Sequence, residues 1–127
     1  MMEVDIPAVL SELVAMFETY EKALTNNDIE TLNKLFWDNP STTRYGTRES
    51  ERQYGHAEIA AFRIRRGAVN QSRILKNRRV TTFGRDFGMT NTEFCAAGSA
   101  KIGRQSQTWV RTESGWKIAS AHVSYGM

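Results

Sequence analysis

Six side chains in this sequence have the types and spacing to handle a small anion: Tyr20, Arg44, Arg63, Arg66, His122 and Ser124. Tyr20 belongs to an apolar series, Leu10, Leu13, Val14, Phe17, Tyr20, Ala23 and Leu24, that recurs at helical spacing. On the inward face of a helix a tyrosine hydroxyl can donate a proton or hold an oxyanion. Its ordinary pKa of about 10 makes it a poor base at neutral pH. The same position also suits a core tyrosine whose hydroxyl is satisfied at the core edge. Arg44 carries a planar fork that matches a carboxylate two-for-two. It either lines a cavity from a strand or points to solvent beside Arg48 and Glu49. Arg63 and Arg66 share a helical face with Ile59 and Phe62, at i, i+3, i+4 and i+7. Burying that face is costly unless the guanidinium groups meet an anion, or pair with Glu58, Glu93 or a second subunit. His122 alternates with Trp116, Ile118, Ser120 and Ser124, so it is either a cavity donor and proton shuttle or a satisfied core histidine. Ser124 shares its face.

Composition narrows the chemistry by exclusion. The chain has 127 residues, 40% apolar and 24% charged, which is the length and make-up of one globular domain spanning residues 1–127. Cys95 is the only cysteine, so no internal disulfide forms and cysteine-rich zinc sites are out of reach. It has no identifiable activating base and is not a candidate nucleophile. His56 and His122 are far apart in no ligand spacing, so a metal-free site with no cofactor is expected. Ser-x-x-Lys, Gly-x-Ser-x-Gly, phosphate-loop and dinucleotide motifs are all missing.

The net charge is +3, but ten arginines and one lysine crowd the stretch Arg44–Arg85. Such a belt can meet nucleic acid, an anionic membrane or a small anion. Acidic residues interrupt it and no nucleic-acid module is present, so neither nucleic acid nor membrane is expected as a partner. No stretch approaches the ~18–20 apolar residues of a membrane span. The acidic start Met1-Met2-Glu3-Val4-Asp5 lacks the basic, apolar pattern of a secretory leader, and a cytoplasmic location is expected.

The elements that must hold these residues follow from periodicity and punctuation. Residues 6–25 read as a helix, with Asp5 as its cap and Pro7 in the first turn. Asn27 and Glu30 resemble a capping box opening a second helix over Ile29–Trp37, which Asn39-Pro40 ends. Residues 41–46 read as a strand that sends Arg44 and Tyr45 to opposite faces. A third helix spans His56–Arg66, with Gly67 at its C′ position. Strands are predicted over Ser72–Phe83, Phe87–Ala97, Ala100–Thr112 and Gly115–Tyr125, the last two joined through Glu113-Ser114-Gly115. Helices grouped ahead of a run of strands imply an α+β domain, with helices on one face of a curved antiparallel sheet. Such a sheet makes a cone, and the cone holds a pocket.

This order resembles the NTF2-like, SnoaL-like and ketosteroid-isomerase-like superfamily over essentially the whole chain. The hairpin Gln107-Thr108-Trp109-Val110-Arg111 and Gly115-Trp116-Lys117-Ile118, leading to His122, carries much of that likeness. Three segments are similar to the AtzH/HpxZ group: Phe17–Leu24 with Asn33–Trp37; Thr43-Arg44-Tyr45-Gly46 with Tyr54-Gly55 and Phe62–Arg66; and Ala121-His122-Val123-Ser124. The resemblance implies a cone-shaped fold and an accessory enzyme of ureide breakdown, with Tyr20 and Arg44 as the functional pair. It implies decarboxylation of a 1,3-dicarboxyurea-type substrate to allophanate, or a related step on oxalurate. The alternative is a non-catalytic anion-binding or accessory partner of a neighbouring amidase. Arg63, Arg66, His122 and Ser124 are then expected to bind substrate, and a homo-oligomer, a dimer or a dimer of dimers, is expected. Steroid isomerisation needs an aspartate base in the cone. No predicted strand offers one.

Overall fold

The helical apolar series folds as its spacing requires. Val9, Leu13, Phe17, Tyr20, Ala23 and Leu24 are buried along one face of α1 (Pro7–Thr25) in the computed structural model, which describes residues 2–68 and 72–126. Pro7 opens the helix, but Asp5 does not cap it. Asp5 takes a left-handed conformation with φ 57°. Its Oδ1 accepts the Thr82 N–H at 2.8 Å, and its own N–H donates to Thr82 O at 3.0 Å. The carboxylate is thus spent on fastening the N-terminal segment to the sheet.

α2 (Ile29–Leu35) is capped one residue later than expected. Asp28, not Asn27, accepts the Thr31 N–H at 3.1 Å and its hydroxyl at 2.7 Å. The helix also stops at Leu35, short of Trp37. Phe36 turns extended and forms a parallel bridge to Ile118, and the Trp37 N–H donates to Ile118 O at 2.9 Å. Tertiary pairing with the sheet wins over helix continuation there.

The remaining elements are β1 (Thr43–Tyr45), β2 (Arg52–Tyr54), α3 (His56–Arg66), β3 (Arg73–Phe83), β4 (Phe87–Ala96), β5 (Ile102–Thr112) and β6 (Gly115–Tyr125). They form one six-stranded sheet in the order β2-β1-β6-β5-β4-β3, with β1 parallel to β6 and the other pairs antiparallel. Three helices pack on this curved, open sheet, the α+β arrangement anticipated from element order. β2 was not foreseen, because Arg-Gln-Tyr shows no alternation long enough to read; β1 supplies the edge on which it forms.

The core fills the space between helices and sheet. Trp109 is fully buried, and its Nε1–H donates to Thr90 Oγ1 at 3.0 Å, which donates in turn to Gln107 Oε1 at 2.9 Å. Two glycines permit close approach: a side chain at Gly88 would collide with Leu13 of α1, and one at Gly103 with the Phe94 ring.

One irregularity in β6 decides which side chains face the cone. The β5–β6 register shifts between Thr108↔Ser120 and Trp109↔Ile118, so Ala119 is an extra residue, a bulge. Trp116 and Ile118 point inward before it; Ala121 and Val123 point inward after it. Alternation carried through from Trp116 therefore gives the wrong face for the rest of the strand.

Candidate functional site

A cavity of about 160 Å³ lies between α1, α3, the start of the sheet and the loop after β1. That is well below the ~300–1,000 Å³ of drug-sized sites, so it suits a small molecule. Tyr20 reaches it from α1, Arg44 from β1, and Arg63 and Arg66 from α3. The structure therefore brings four of the six sequence candidates together. Each is placed by a simple rule. Tyr20 rides the buried stripe of α1. Arg44 takes the inward position of β1, opposite Gln53 and Ala121, while Tyr45 faces outward. Ile59, Phe62, Arg63 and Arg66 lie on the buried or half-buried side of α3, and Arg65 is exposed.

His122 and Ser124 do not join them. The Ala119 bulge turns both to the outer face, where they are exposed. His122 sits beside Tyr45, ring centroids 5.7 Å apart, and pairs across the sheet with Ser106. Ser124 pairs with Arg104, which is bonded to Glu93. Neither residue lines the cavity.

The arginines are held in different ways. Arg44 is only 7% exposed; its Nη1–H donates to Gln53 Oε1 at 3.0 Å, and its guanidinium carbon lies 4.7 Å from the Phe62 ring centroid. Burial lowers its pKa to about 10, against the opposing pull of Tyr20, and the neighbouring Arg63 adds to the fall. Arg44 remains a cation at neutral pH. Burial, and then Arg63, also lower the Arg66 pKa.

Arg63 is 1% exposed, and its Nε, Nη1 and Nη2 have no hydrogen-bond partner among the described residues. The carboxylates that could have paired it are engaged elsewhere. Glu58 accepts the Tyr54 N–H at 2.9 Å, and Glu93 accepts from Asn77 and Arg104. What Arg63 does have is the Phe36 ring, 5.6 Å away. A buried guanidinium with five donors and no acceptor is set up to receive an anion.

Three features of the site escaped the sequence. Arg73, at the start of β3, lines the cavity but is gripped by Glu21. Gln53 orients Arg44 from the unforeseen β2. Glu51, the only carboxylate on the lining among the described residues, accepts from Thr47 Oγ1 and the Arg48 N–H. Arg73 is paired with Glu21, while Arg44, Arg63 and Arg66 line the same cavity as Glu51. No sequence signal marks Gln53 or Glu21; both are chosen by tertiary contact. Elsewhere, a larger open groove of about 690 Å³ runs past Trp37, His56 and Lys117, but its charges are mixed in sign. No group of three or more His, Cys, Asp or Glu side chains that could hold a metal occurs among the described residues. No helix among them is long and apolar enough to cross a membrane.

The fold has counterparts in known proteins. The structure matches that of a protein of unknown function from the DUF3225 family of Pectobacterium atrosepticum, with 47% identity, TM-score 0.93, and 98% of this chain and 95% of that one covered. A cystatin-like fold protein from Burkholderia xenovorans matches with 46% identity and TM-score 0.91, over 98% of this chain and 97% of that one. An NTF2-like protein of unknown function from Pseudomonas putida shares the fold at 16% identity and TM-score 0.76, covering 92% and 86%. Among curated proteins, none matches the chain. The AtzH-like family profile matches residues 2–127. With that match over nearly its whole length and an NTF2-like fold around an arginine-lined cavity, the chain belongs to the AtzH-like family.

Proposed function

We propose that this protein is a cofactor-independent enzyme that decarboxylates a small carboxylated urea of the 1,3-dicarboxyurea type, giving allophanate. The observation that carries the reading is the convergence of Tyr20 with Arg44, Arg63 and Arg66 in a cavity of small-molecule size, where the buried Arg63 guanidinium has no hydrogen-bond partner among the described residues.

In the step itself the N–C bond to one terminal carboxylate breaks and carbon dioxide leaves. The bonding pair stays on the urea nitrogen, with charge spread to the urea oxygen. Tyr20 donates its proton to that nitrogen, and the phenolate regains one from water. Arg44 stabilises the negative charge that develops on substrate and phenolate, held in place by Gln53. Arg63 and Arg66 hold the carboxylate that stays. A low-dielectric site strengthens these interactions over their worth in water.

The test is product release from freshly generated 1,3-dicarboxyurea, for wild type, Tyr20→Phe and Arg44→Ala. Carbon dioxide release above the spontaneous rate, without extra ammonia and lost in both variants, supports the reading. Extra ammonia would replace decarboxylation by amide hydrolysis, as for an oxalurate-type substrate. No acceleration of either product would leave the cavity as the binding site of an accessory subunit, to be sought in complex with an amidase.

A further inference from the structure

The loop between β1 and β2 is built around one carboxylate, and it uses only one of the two oxygens. The Gly46 N–H donates to Glu51 O at 2.7 Å, and the Glu51 N–H donates to Arg48 O at 2.9 Å, closing residues 46–51 into a compact turn. Within it, Glu51 Oε2 accepts from Thr47 Oγ1 at 3.2 Å and from the Arg48 N–H at 3.1 Å. Those two bonds fix the carboxylate. Oε1 accepts no hydrogen bond among the described residues. It is held on the cavity wall beside Arg44. A Cβ added at Gly46 would lie 2.8 Å from Glu51 Oε1 and 3.0 Å from Arg44 Nη1, so the glycine is what lets the two approach. A fixed acceptor with nothing to accept therefore stands next to the arginine that meets the anion.

We propose that Glu51 is a specificity-determining residue that reads ligand N–H groups, so that the cavity takes carboxylates carrying a ureido N–H over analogues with a methylene in its place. The proposal rests on the anion-pocket reading above. Arginine forks only donate, so they hold a ligand's carboxylate but never its N–H. A carboxylate lodged beside them repels an incoming anion, and that cost is offset when it accepts a hydrogen bond from the same anion. A carboxylated urea alternates carboxylate and N–H along its length. An arginine next to a fixed glutamate oxygen complements that pattern. A methylene at the N–H position leaves Oε1 unpaired and keeps the repulsion. A site built to hydrogen-bond a ligand N–H rejects the analogue lacking it far more strongly than an apolar pocket rejects a changed methylene. Glu51 is half-buried rather than sealed from water, which keeps the effect moderate. It takes no part in bond breaking.

The experiment is calorimetric binding of two stable probes, ureidoacetate and succinamate, which differ only in one N–H replaced by CH2. It requires no turnover. Wild type is expected to favour ureidoacetate roughly tenfold, the order of one hydrogen bond to a partly exposed charged group. Glu51→Gln is expected to abolish that preference while still binding succinamate. Its amide oxygen takes over the bonds from Thr47 and Arg48, which turns the NH2, a donor, toward the ligand. Gly46→Ala keeps the glutamate but forces its carboxylate aside, and is expected to lower the same ratio. It keeps the test informative if Glu51→Gln folds poorly. A glutamate that only fastens its loop would weaken both probes equally. Equal binding of the two probes by wild type, an unmoved ratio in Glu51→Gln, or equal losses for both probes overturns the proposal and leaves the anion pocket standing. If wild type binds neither probe, the anion-pocket reading itself is overturned, and this proposal with it.

Discussion

Arg63 offers the sharpest quantitative test, because its two roles pull stability in opposite directions. Its guanidinium is 1% exposed, and its three nitrogens have no hydrogen-bond acceptor among the described residues. Desolvating such an ion costs several kcal/mol in a real protein. The Phe36 ring at 5.6 Å returns up to ~2 kcal/mol of that. A net penalty of about 2 kcal/mol therefore sits in the ligand-free fold by this reckoning. Arg63→Met keeps an unbranched side chain of similar reach and removes the charge. The variant is expected to gain about 2 kcal/mol, or roughly 6–10 °C in melting temperature for a domain of this size. Malonate should reverse the ranking. At about a hundred times its dissociation constant it stabilises wild type by ~2.7 kcal/mol and leaves the variant almost unmoved. Differential scanning calorimetry at low ionic strength, with and without malonate, reads both numbers. A variant that melts at or below wild type without anion, and responds to malonate as wild type does, would refute the argument that Arg63 is held buried for an anion.

His122→Ala and Ser124→Ala, on the outer face, should each leave malonate affinity within about twofold of wild type, as expected for exposed side chains away from the site; a larger loss by calorimetry would place them in the cavity after all. Gly103→Ala drives a methyl into the Phe94 ring, which supports Arg73, and should cost ~1–3 kcal/mol by urea denaturation while weakening anion binding. Malonate affinity should stay level from neutral pH upward and fall above about 10, where Arg44 gives up its proton. The sign follows from a lowered cation pKa: the charged form that binds the anion is lost as pH rises through it, and a fall centred near neutrality would contradict the assignment. Exposed Phe87 and Met89 on β4, with Tyr45 on β1 and Tyr54 on β2, suit an interface, and we expect a dimer or a dimer of dimers; sedimentation of a monomer at micromolar concentration would refute it.

Local rules carried much of the site into view. Tyr20 could be placed on an inward helical face because α1 keeps a regular stripe over nineteen residues. Arg63 and Arg66 followed from the same periodicity in α3; alternation put Arg44 and Tyr45 on opposite faces of β1, and the pairing of β1 with β6 decided that Arg44 is the inward one. Two of the errors share a cause. The Asp5 cap and the end of α2 are positions where a side chain or backbone group found a better partner elsewhere in the fold: Asp5 at Thr82 and Phe36 at Ile118. Nothing within a few residues announces those partners. The Asn27 cap is a local error of one position, since the neighbouring Asp28 accepts from Thr31 instead.

Element order, the α+β class, the family and the arginine-rich helix face were legible along the chain, because these depend on side-chain type repeating at short range. Which of those residues share a cavity was settled by packing. A single extra residue at Ala119 sent His122 and Ser124 outward, since strand alternation has a period of two and one insertion inverts it. Packing also decided the charge of the site. Glu21 lies 52 residues from Arg73 and 84 from Gln105, and only the packing of α1 on the sheet makes them one neutral group on the wall that Arg44, Arg63 and Arg66 also line.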